Sequence, residues 1–329
     1  MSTPAYLPFL QQTLSYFDRP HDGPALAPVA APAAWKRSDL QGVQWRVRLD
    51  AADVAELRAA VAGWTSQNRP LAEMTRADFR LPRLAPRIAA WRDEVATGRG
   101  LQVVSGVPVD SWSVEEASAF FWGLGQHLGR PGAQNRRGEL LGHVRDTGAD
   151  RTDRYVRQYL TTQDIPFHCD AADMVGLLCL CTARSGGLSR IASSVSVYNE
   201  LLRRRPDLAP RLFEPFMLDT RDEAEANGLK ALPVPPCRYA GGVLRTFWHS
   251  EYFRTAQRHP GIRLTDAENE LLDLYDGIAA SPEFHVDMAL EPGDVQLLSN
   301  HTVIHARTDY QDHAEPALKR HLLRLWVSA

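Results

Sequence analysis

The chain has 329 residues, of which 44% are hydrophobic and 23% are charged, and its formal net charge is −3. This is ordinary globular composition with enough apolar material for a large core. It contains neither the basic stripe of a nucleic-acid-binding protein nor a run of about 18 apolar residues that would cross a membrane. The sequence therefore predicts no nucleic-acid partner and no membrane partner.

The cysteines and the N-terminus indicate the compartment. None of the four cysteines forms a C-x-x-C pair, which excludes a zinc ribbon as the expected structure. The N-terminus lacks a basic segment followed by an apolar stretch, so we expect no secretory signal. These features favour a reducing, cytoplasmic location.

The first half of the chain is predicted to be mainly helical. Four prolines between positions 20 and 32 make residues 1–40 look like an irregular arm. The elements predicted after it are a strand at 41–49, a helix from Asp50 to Gly63, a helix from Pro86 to Gly98, a strand at 101–107 and a helix after the capping box of Ser113 and Glu116.

From about residue 155 the pattern changes to short strands separated by turns. Residues 174–183 form a near-continuous apolar run, typical of a strand buried on both faces. The other predicted elements are strands at 155–161, 167–170, 242–248, 295–298, 302–305 and 320–327, a turn at 186–187, helices at 195–203 and after Thr265, and a proline loop at 233–236. Helices followed by many short strands indicate an α+β protein with a mainly β core, and we expect one domain, 1–329.

A histidine and an aspartate two residues apart are the first chemical signal. Neighbours two apart on a strand face the same side, so His168 and Asp170 would direct an imidazole and a carboxylate to one point. A second imidazole would complete the two-His, one-carboxylate triad of non-haem iron(II) oxygenases. His305, on a predicted strand, is our candidate. Its competitors are His301, His313 and His321.

Two arginines near the C-terminus are the second signal. Arg320 and Arg324 would face the same side of a strand, and two guanidinium groups suit a dicarboxylate because each forms a fixed bidentate fork. A solvated arginine pair would show the same spacing. The turn of Gly186 and Gly187 leads to the hydroxyl of Ser189, which could bind an anion or cap the backbone.

Together these motifs resemble the TauD/TfdA-type Fe(II)/2-oxoglutarate dioxygenases, also called clavaminate-synthase-like. The matching features, within residues 155–329, are His168-Cys169-Asp170, Gly186-Gly187-Leu188-Ser189, the turn at 291–294, Asn300 five residues before His305, and Arg320 four before Arg324. The resemblance implies a double-stranded β-helix, or jelly-roll, core in which His168, Asp170 and His305 bind iron. It further implies that 2-oxoglutarate and O2 are co-substrates.

The resemblance also implies roles for the anion-binding residues. Arg324 would bind the distal carboxylate of 2-oxoglutarate beside Ser189, which stands where the family usually has threonine. Arg320 would lie at the near carboxylate or at the substrate. The expected reaction converts 2-oxoglutarate to succinate and carbon dioxide while an unactivated carbon is hydroxylated. The carboxylate of Asp170 argues against halogenation, because a small residue there would leave room for a halide.

The substrate is less defined by the sequence. Tyr159 and Asp164 precede the triad closely, and Arg245 could bind an acidic group, so we expect these three near a small polar or carboxylated metabolite. Desaturation, cyclisation or epimerisation would begin with the same hydrogen removal. A non-catalytic jelly-roll binding or sensing protein, a zinc enzyme or an isomerase on the same fold remain alternatives, as does a homo-oligomer. The loop at 309–319 is expected near the site entrance.

Overall fold

Seven α-helices occur in the computed structural model, which describes residues 5–149, 157–221 and 230–329. Local signals begin several of them: Ser113 and Glu116, and likewise Thr265 and Glu268, form reciprocal capping boxes. No described helix is long and apolar enough to cross a membrane. The helices are α1 (Phe9–Phe17), α2 (Ala51–Thr65), α3 (Ala85–Thr97), α4 (Val114–Leu128), α5 (Ser194–Arg204), α6 (Ser250–Thr255) and α7 (Asp266–Ala279).

Seventeen strands occur in the same residues. They are β1 (Arg46–Arg48), β2 (Leu101–Ser105), β3 (Arg130–Gly132), β4 (Gly142–Val144), β5 (Ile165–His168), β6 (Met174–Cys181), β7 (Ser185–Gly186), β8 (Ser189–Ser193), β9 (Phe216–Asp219), β10 (Ala231–Val234), β11 (Cys237–Ala240), β12 (Val243–Thr246), β13 (His285–Met288), β14 (Val295–Ser299), β15 (Val303–Arg307), β16 (Tyr310–Gln311) and β17 (His321–Ser328).

Two sheets face each other and form the predicted jelly-roll core. The larger has the order β1-β2-β14-β6-β17-β3, with β4 also paired to β17, and the smaller has the order β13-β8-β15-β5. Val175 and Leu298 of the larger sheet pack with Ile191 and Val303 of the smaller in one buried cluster. The confirmed fold is therefore α+β with a jelly-roll core, in which sequentially distant strands are neighbours.

Helices cover the outer faces of both sheets. Helices α2, α3 and α4 pack on the larger sheet through residues such as Leu57, Ile88 and Phe121. Helices α5 and α7 cover the smaller sheet through residues such as Leu201 and Leu271. Each large side chain fully buried in this way contributes ~1.5–3 kcal/mol relative to an exposed one. The two helical layers fix the sheets that carry the site.

The structure differs from the sequence expectations in three places. The first 40 residues contain helix α1, which lies before the four prolines, and α2 continues through Gly63. Of the strand expected at 155–161, residues 155 and 156 lie outside the described residues, and 158–160 form a 3-10 turn. The proline loop at 233–236 contains part of strand β10, which pairs with β9 through Pro233 and Val234.

Candidate metal centre and anion-binding residues

Three side chains from the smaller sheet and its edge meet between the two sheets. His168 at the end of β5 lies opposite His305 of β15, with their ring centroids 4.3 Å apart. Asp170 follows closely, and its Oδ2 lies 3.7 Å from His305 Nε2. One ligand atom from each residue lies within 4.8 Å of the other two. Within residues 5–149, 157–221 and 230–329 this is the one such group of three His, Cys, Asp or Glu side chains.

A turn, not a continuous strand, orients the carboxylate. Strand β5 ends at His168, so the two-residue strand period does not reach Asp170. Instead the Asp170 amide donates to Asn300 Oδ1 at 3.1 Å, and Asn300 Nδ2 donates to the Ala172 carbonyl at 2.9 Å. Cys169, which lies between His168 and Asp170 in the sequence, is buried in the hydrophobic core. The asparagine side chain therefore holds the turn that presents the carboxylate.

The protonation states fit a divalent metal ion. Burial and the neighbouring imidazole of His168 lower the pKa of His305 to about 3, and burial lowers the pKa of His168. Burial alone would raise the pKa of Asp170, but Arg324 and the two imidazoles hold it below its usual value. The result is two neutral imidazoles and one carboxylate, the forms in which these groups bind metals.

Unsatisfied polar atoms support the same conclusion. His168 Nδ1 lies 2.9 Å from the Pro166 carbonyl, which leaves Nε2 to face the cluster. Asp170 Oδ2, which lies 3.7 Å from His305 Nε2, is buried and has no hydrogen-bond partner. Buried polar atoms are normally satisfied, so a cation between these side chains would complete the site. Two nitrogens and one oxygen match the facial triad of iron(II) oxygenases.

The other candidate histidines lie in different environments. His301 Nε2 is 2.8 Å from Asp173 Oδ1. His321 Nε2 is 2.8 Å from His143 Nδ1. His313 is half-buried in the segment between β16 and β17. The structure thus brings His305, and none of these three, to His168 and Asp170.

Arg324 lies directly beside the triad. Its Nη1 is 3.2 Å from Asp170 Oδ1, and its Nε donates to Gln134 Oε1 at 2.7 Å. Its guanidinium carbon is 4.7 Å from the ring centre of Tyr159 and 5.1 Å from that of Trp326. Tyr159, expected near the substrate, is therefore in contact with a residue of this site.

Arg320 belongs to a second group, which we call the inner cluster and which consists of Arg307, Tyr310 and Arg320. All three residues are buried, and the guanidinium carbons of Arg307 and Arg320 lie 4.9 Å and 5.1 Å from the Tyr310 ring centre. Burial lowers the pKa of Arg320, and burial together with Arg320 lowers that of Arg307 to about 10. Arg320 Nη1, Arg307 Nε and Arg307 Nη1 have no hydrogen-bond partner.

A cavity of about 210 Å³ borders the inner cluster, and Arg320 is its cationic lining residue. The other lining residues include Cys179, Gly187, Leu188, Leu290 and Leu322. Gly187 has φ +67°, and a Cβ there would lie 2.9 Å from Arg320 Nε. The glycine turn therefore gives the guanidinium the space it occupies. The nearby Ser189 hydroxyl is buried and donates to Gln296 Oε1 at 2.9 Å.

The remaining two residues expected near the substrate lie elsewhere. Asp164 is exposed, and its negative charge acts to raise the pKa of Arg307. Arg245 is half-buried on β12, where burial and the charge of Arg19 lower its pKa and Asp173 opposes them. The structure thus associates Asp164 with the inner cluster and Arg245 with the charged residues around Asp173.

The structure contains a third group that the sequence did not indicate, which we call the outer cluster and which consists of Arg157, Arg221, His249 and Tyr252. The His249 ring stacks on Tyr252 at 3.5 Å, and its centroid is 5.6 Å from that of His168. Arg157 Nη1 and Arg221 Nη1 donate to the Tyr252 hydroxyl at 3.0 Å and 3.2 Å. The sequence contains only a weak indication of this cluster. His249 and Tyr252 are three residues apart, but Arg157 and Arg221 are distant from them in the sequence.

Comparisons with known proteins agree with this geometry. Residues 67–326 match the model of the "Taurine catabolism dioxygenase TauD, TfdA family". The chain is 31% identical over 306 residues to FR-33289 synthase of Streptomyces rubellomurinus, covering 92% of this chain and 90% of that protein. It is 27% identical over 307 residues to the taurine hydroxylase-like protein SAT17 of Stachybotrys chartarum, covering 89% and 77%.

A solved structure shows the same fold at low identity. An asparagine oxygenase in complex with Fe(II), 2S,3S-3-hydroxyasparagine and succinate superposes with a TM-score of 0.70 at 17% identity, covering 87% of this chain and 94% of that one. The chain belongs to the TauD/TfdA family. It is an oxidoreductase, an Fe(II)/2-oxoglutarate-dependent dioxygenase that acts on a small molecule and uses O2.

Proposed function

We propose that His168, Asp170 and His305 hold the iron and that the chain hydroxylates an unactivated carbon of a small polar or carboxylated molecule. The observation that carries this proposal is the convergence of their ligand atoms within 4.8 Å. The hydroxylated amino acid in the asparagine oxygenase complex supports a substrate of this class. Hydroxylation is the simplest outcome of the family's chemistry, because it needs no further reorganisation of the substrate.

Arg320 is the residue proposed for the distal carboxylate of 2-oxoglutarate, the opposite of the order expected from the sequence. Arg324 is 3.2 Å from Asp170 and therefore acts at the metal end of the site, on the near carboxylate or the substrate. Arg320 lies four residues before Arg324, and in extended chain this separates their two Cα atoms by roughly 13 Å. Arg320 instead lines the cavity and has an unpartnered, buried Nη1. A distal carboxylate would satisfy that donor.

When bound, iron supplies the oxygen activation that couples decarboxylation of 2-oxoglutarate to removal of a substrate hydrogen. The protein contributes position and charge. Arg324 keeps Asp170 ionised, and Asn300 fixes the turn that carries it. Tyr159 and Trp326 flank the Arg324 guanidinium and shield it from water. Ser189, which donates to Gln296, supports the β8 side of the 2-oxoglutarate site.

Succinate formation tests the proposal. Purified protein with Fe(II), 2-oxoglutarate and O2 should release succinate, and His168→Ala should lower the rate at least about a thousandfold by removing an iron ligand. His313→Ala is the matched control, because His313 lies outside the triad. Metal content measured on the same samples should fall in His168→Ala alone. Undiminished succinate formation by His168→Ala would contradict the assignment.

The remaining proposals concern the setting in which the protein works. We keep a cytoplasmic location, supported by four free cysteine thiols, three of which are buried. We also keep the expectations that neither nucleic acid nor a membrane is a partner and that a homo-oligomer can form. Sedimentation of the purified chain at several concentrations would measure its oligomeric state.

A further inference from the structure

Helix α1 contacts the turn that follows β14 through the side chain of Tyr16. Tyr16 lies in the last turn of α1 and is 3% exposed. Its hydroxyl lies 3.0 Å from the carbonyl oxygen of Asn300 and 3.3 Å from that of Thr246. The ring stacks on the imidazole of His301, with the two ring centroids 4.7 Å apart. One residue of α1 therefore contacts this turn with both its ring and its hydroxyl.

The carbonyl group of Asn300 accepts its hydrogen bond from this tyrosine. Strand β14 ends at Ser299 and β15 begins at Val303, so Asn300 lies outside both strands. Asn300 is fully buried, and a buried carbonyl oxygen without a donor is strongly disfavoured. The Tyr16 hydroxyl supplies that donor. Without it, the peptide group between Asn300 and His301 would rotate toward another donor.

The other polar groups of Asn300 bind the turn that carries Asp170. Asn300 Oδ1 accepts a hydrogen bond from the Asp170 amide at 3.1 Å, and Nδ2 donates to the Ala172 carbonyl at 2.9 Å. The backbone amide of Asn300 donates to the Asp173 carbonyl at 3.0 Å. Asn300 thus connects Tyr16 on one side with residues 170–173 on the other. A rotation of the Asn300 peptide group would redirect Oδ1 and, with it, the turn that presents the Asp170 carboxylate.

A second contact joins α1 to the same turn. Arg19, two residues after the end of the helix, forms an ion pair with Asp173 through Nη2 and Oδ1. Asp173 Oδ1 also lies 2.8 Å from His301 Nε2, and Asp173 Oδ2 accepts a hydrogen bond from the Ala329 amide at 2.9 Å. Connected hydrogen bonds in a buried site make such an arrangement rigid. The end of α1, and Tyr16 with it, is therefore fixed relative to the turn.

We propose that Tyr16 is a positioning residue for the iron ligand Asp170 and that it acts through Asn300. This inference rests on the proposed function, because it takes the triad as the metal centre. Residues that orient metal ligands change metal affinity roughly 10–100-fold when they are replaced. The sequence separation between Tyr16 and Asn300 is 284 residues. A helix near the start of the chain thus contributes to a metal centre whose ligands all lie in the second half.

The test measures binding of Co(II) to the metal-free protein by visible absorption. Co(II) follows Fe(II) directly in the order of metal affinities, and its absorption reports the ligands around the ion. Tyr16→Phe keeps the ring on His301 and removes only the hydroxyl. We expect the dissociation constant for Co(II) to rise about tenfold, at the lower end of the range for residues that orient a metal ligand, because Tyr16 acts through one intermediate residue.

Tyr198→Phe is the matched control for a lost tyrosine hydroxyl. The Tyr198 hydroxyl is likewise buried and donates to a backbone carbonyl, that of Ala25, but Tyr198 belongs to α5 on the outer face of the smaller sheet. Both variants should unfold at lower urea concentrations than the wild type, while Tyr198→Phe should bind Co(II) as the wild type does. Wild-type Co(II) affinity in Tyr16→Phe, or equal losses of affinity in both variants, overturns the inference.

A second background shows whether the effect passes through Asp170. In Asp170→Ala the two imidazoles remain, and adding Tyr16→Phe should change the Co(II) affinity less than about twofold, because the group that Tyr16 positions is gone. A further tenfold loss in the double variant overturns the inference. Absence of saturable Co(II) binding in the wild type, or wild-type binding by His168→Ala, would instead overturn the proposed function.

Discussion

The inner and outer clusters each place two arginines around one tyrosine, but they use the ring differently. In the inner cluster, Arg307 and Arg320 lie against the ring of Tyr310 and leave buried guanidinium nitrogens without a partner. In the outer cluster, both arginines donate to the hydroxyl of Tyr252. The first arrangement leaves buried hydrogen-bond donors without a partner, and the second uses the tyrosine hydroxyl as a common acceptor.

The two clusters also differ in their surroundings. The inner cluster is buried and borders a cavity of about 210 Å³, in which we propose that 2-oxoglutarate binds. The outer cluster is half-buried, and its arginines come from segments far apart in the chain. The two clusters therefore differ in burial as well as in the way they use the tyrosine.

The largest expected effect is that of Arg320→Gln on the inner cluster. Losing a buried charge-assisted contact to the distal carboxylate should raise the KM for 2-oxoglutarate about 100-fold. Arg324→Gln should instead lower kcat, because Arg324 contacts Asp170. Steady-state succinate assays separate these effects, with exposed Arg203→Gln as the control. A larger KM change in Arg324→Gln would restore the order expected from the sequence.

Substitution of Asp173 tests whether a residue outside both clusters stabilises the fold. It accepts hydrogen bonds from His301 and the Ala329 amide, and these overcome the effect of burial to lower its pKa to about 2. A carboxylate with a lowered pKa stabilises the fold above pH about 4 and loses that contribution as pH falls toward 2. Asp173→Asn should therefore cost ~2 kcal/mol of unfolding free energy at neutral pH.

Urea unfolding at several pH values measures the Asp173 effect. The difference between Asp173→Asn and wild type should shrink as the pH falls from about 4 to about 2. The matched control is Asp93→Asn, since that carboxylate is largely exposed. A difference that does not change with pH would show that the ionised carboxylate of Asp173 is not its source.

Gly187→Ala probes the inner cluster without removing a charge. The added Cβ would lie 2.9 Å from Arg320 Nε at a φ of +67°, so both the arginine and the turn must shift. We expect the KM for 2-oxoglutarate to rise about tenfold, in line with displacement of one charge-assisted contact. Gly63→Ala, in helix α2 with nothing within 4 Å of the added Cβ, should leave this KM unchanged. An unaltered KM in Gly187→Ala would separate Arg320 from 2-oxoglutarate binding.

The smallest effects come from removing one hydroxyl in each cluster. Tyr310→Phe keeps the ring against which Arg307 and Arg320 lie, so 2-oxoglutarate binding should change less than about twofold. Tyr252→Phe removes the acceptor of two hydrogen bonds and should lower the free energy of unfolding by ~1 kcal/mol. Urea unfolding and 2-oxoglutarate binding of both variants give a direct comparison. Equal effects of the two variants would remove the distinction between the clusters.

Local chemistry explains what the sequence could predict. The capping boxes of Ser113 and Thr265 each lie within four residues of their partners, so the helices after them could be predicted. The family motif likewise identified His168, Asp170 and His305, which the structure brings together. The two-residue strand spacing does not fully explain the position of Asp170, because Asn300, 130 residues away, orients the turn that carries this carboxylate.

Long-range contacts explain what the sequence could not predict. Strand spacing places Arg320 and Arg324 on one face but does not say which lies at the metal end; that depends on the contact with Asp170. The meeting of Arg157 and Arg221 at Tyr252 spans separations of 95 and 31 residues. No periodicity within one element encodes such a contact, so the outer cluster emerged from the fold alone.

The most direct test is a titration of the anaerobic Fe(II) protein with 2-oxoglutarate, followed by its visible charge-transfer band. We expect a saturable band in the wild type, no band in His168→Ala, and a midpoint shifted about 100-fold in Arg320→Gln. A wild-type band in His168→Ala would contradict the metal centre. An unshifted midpoint in Arg320→Gln would contradict the assignment of the distal carboxylate to the inner cluster.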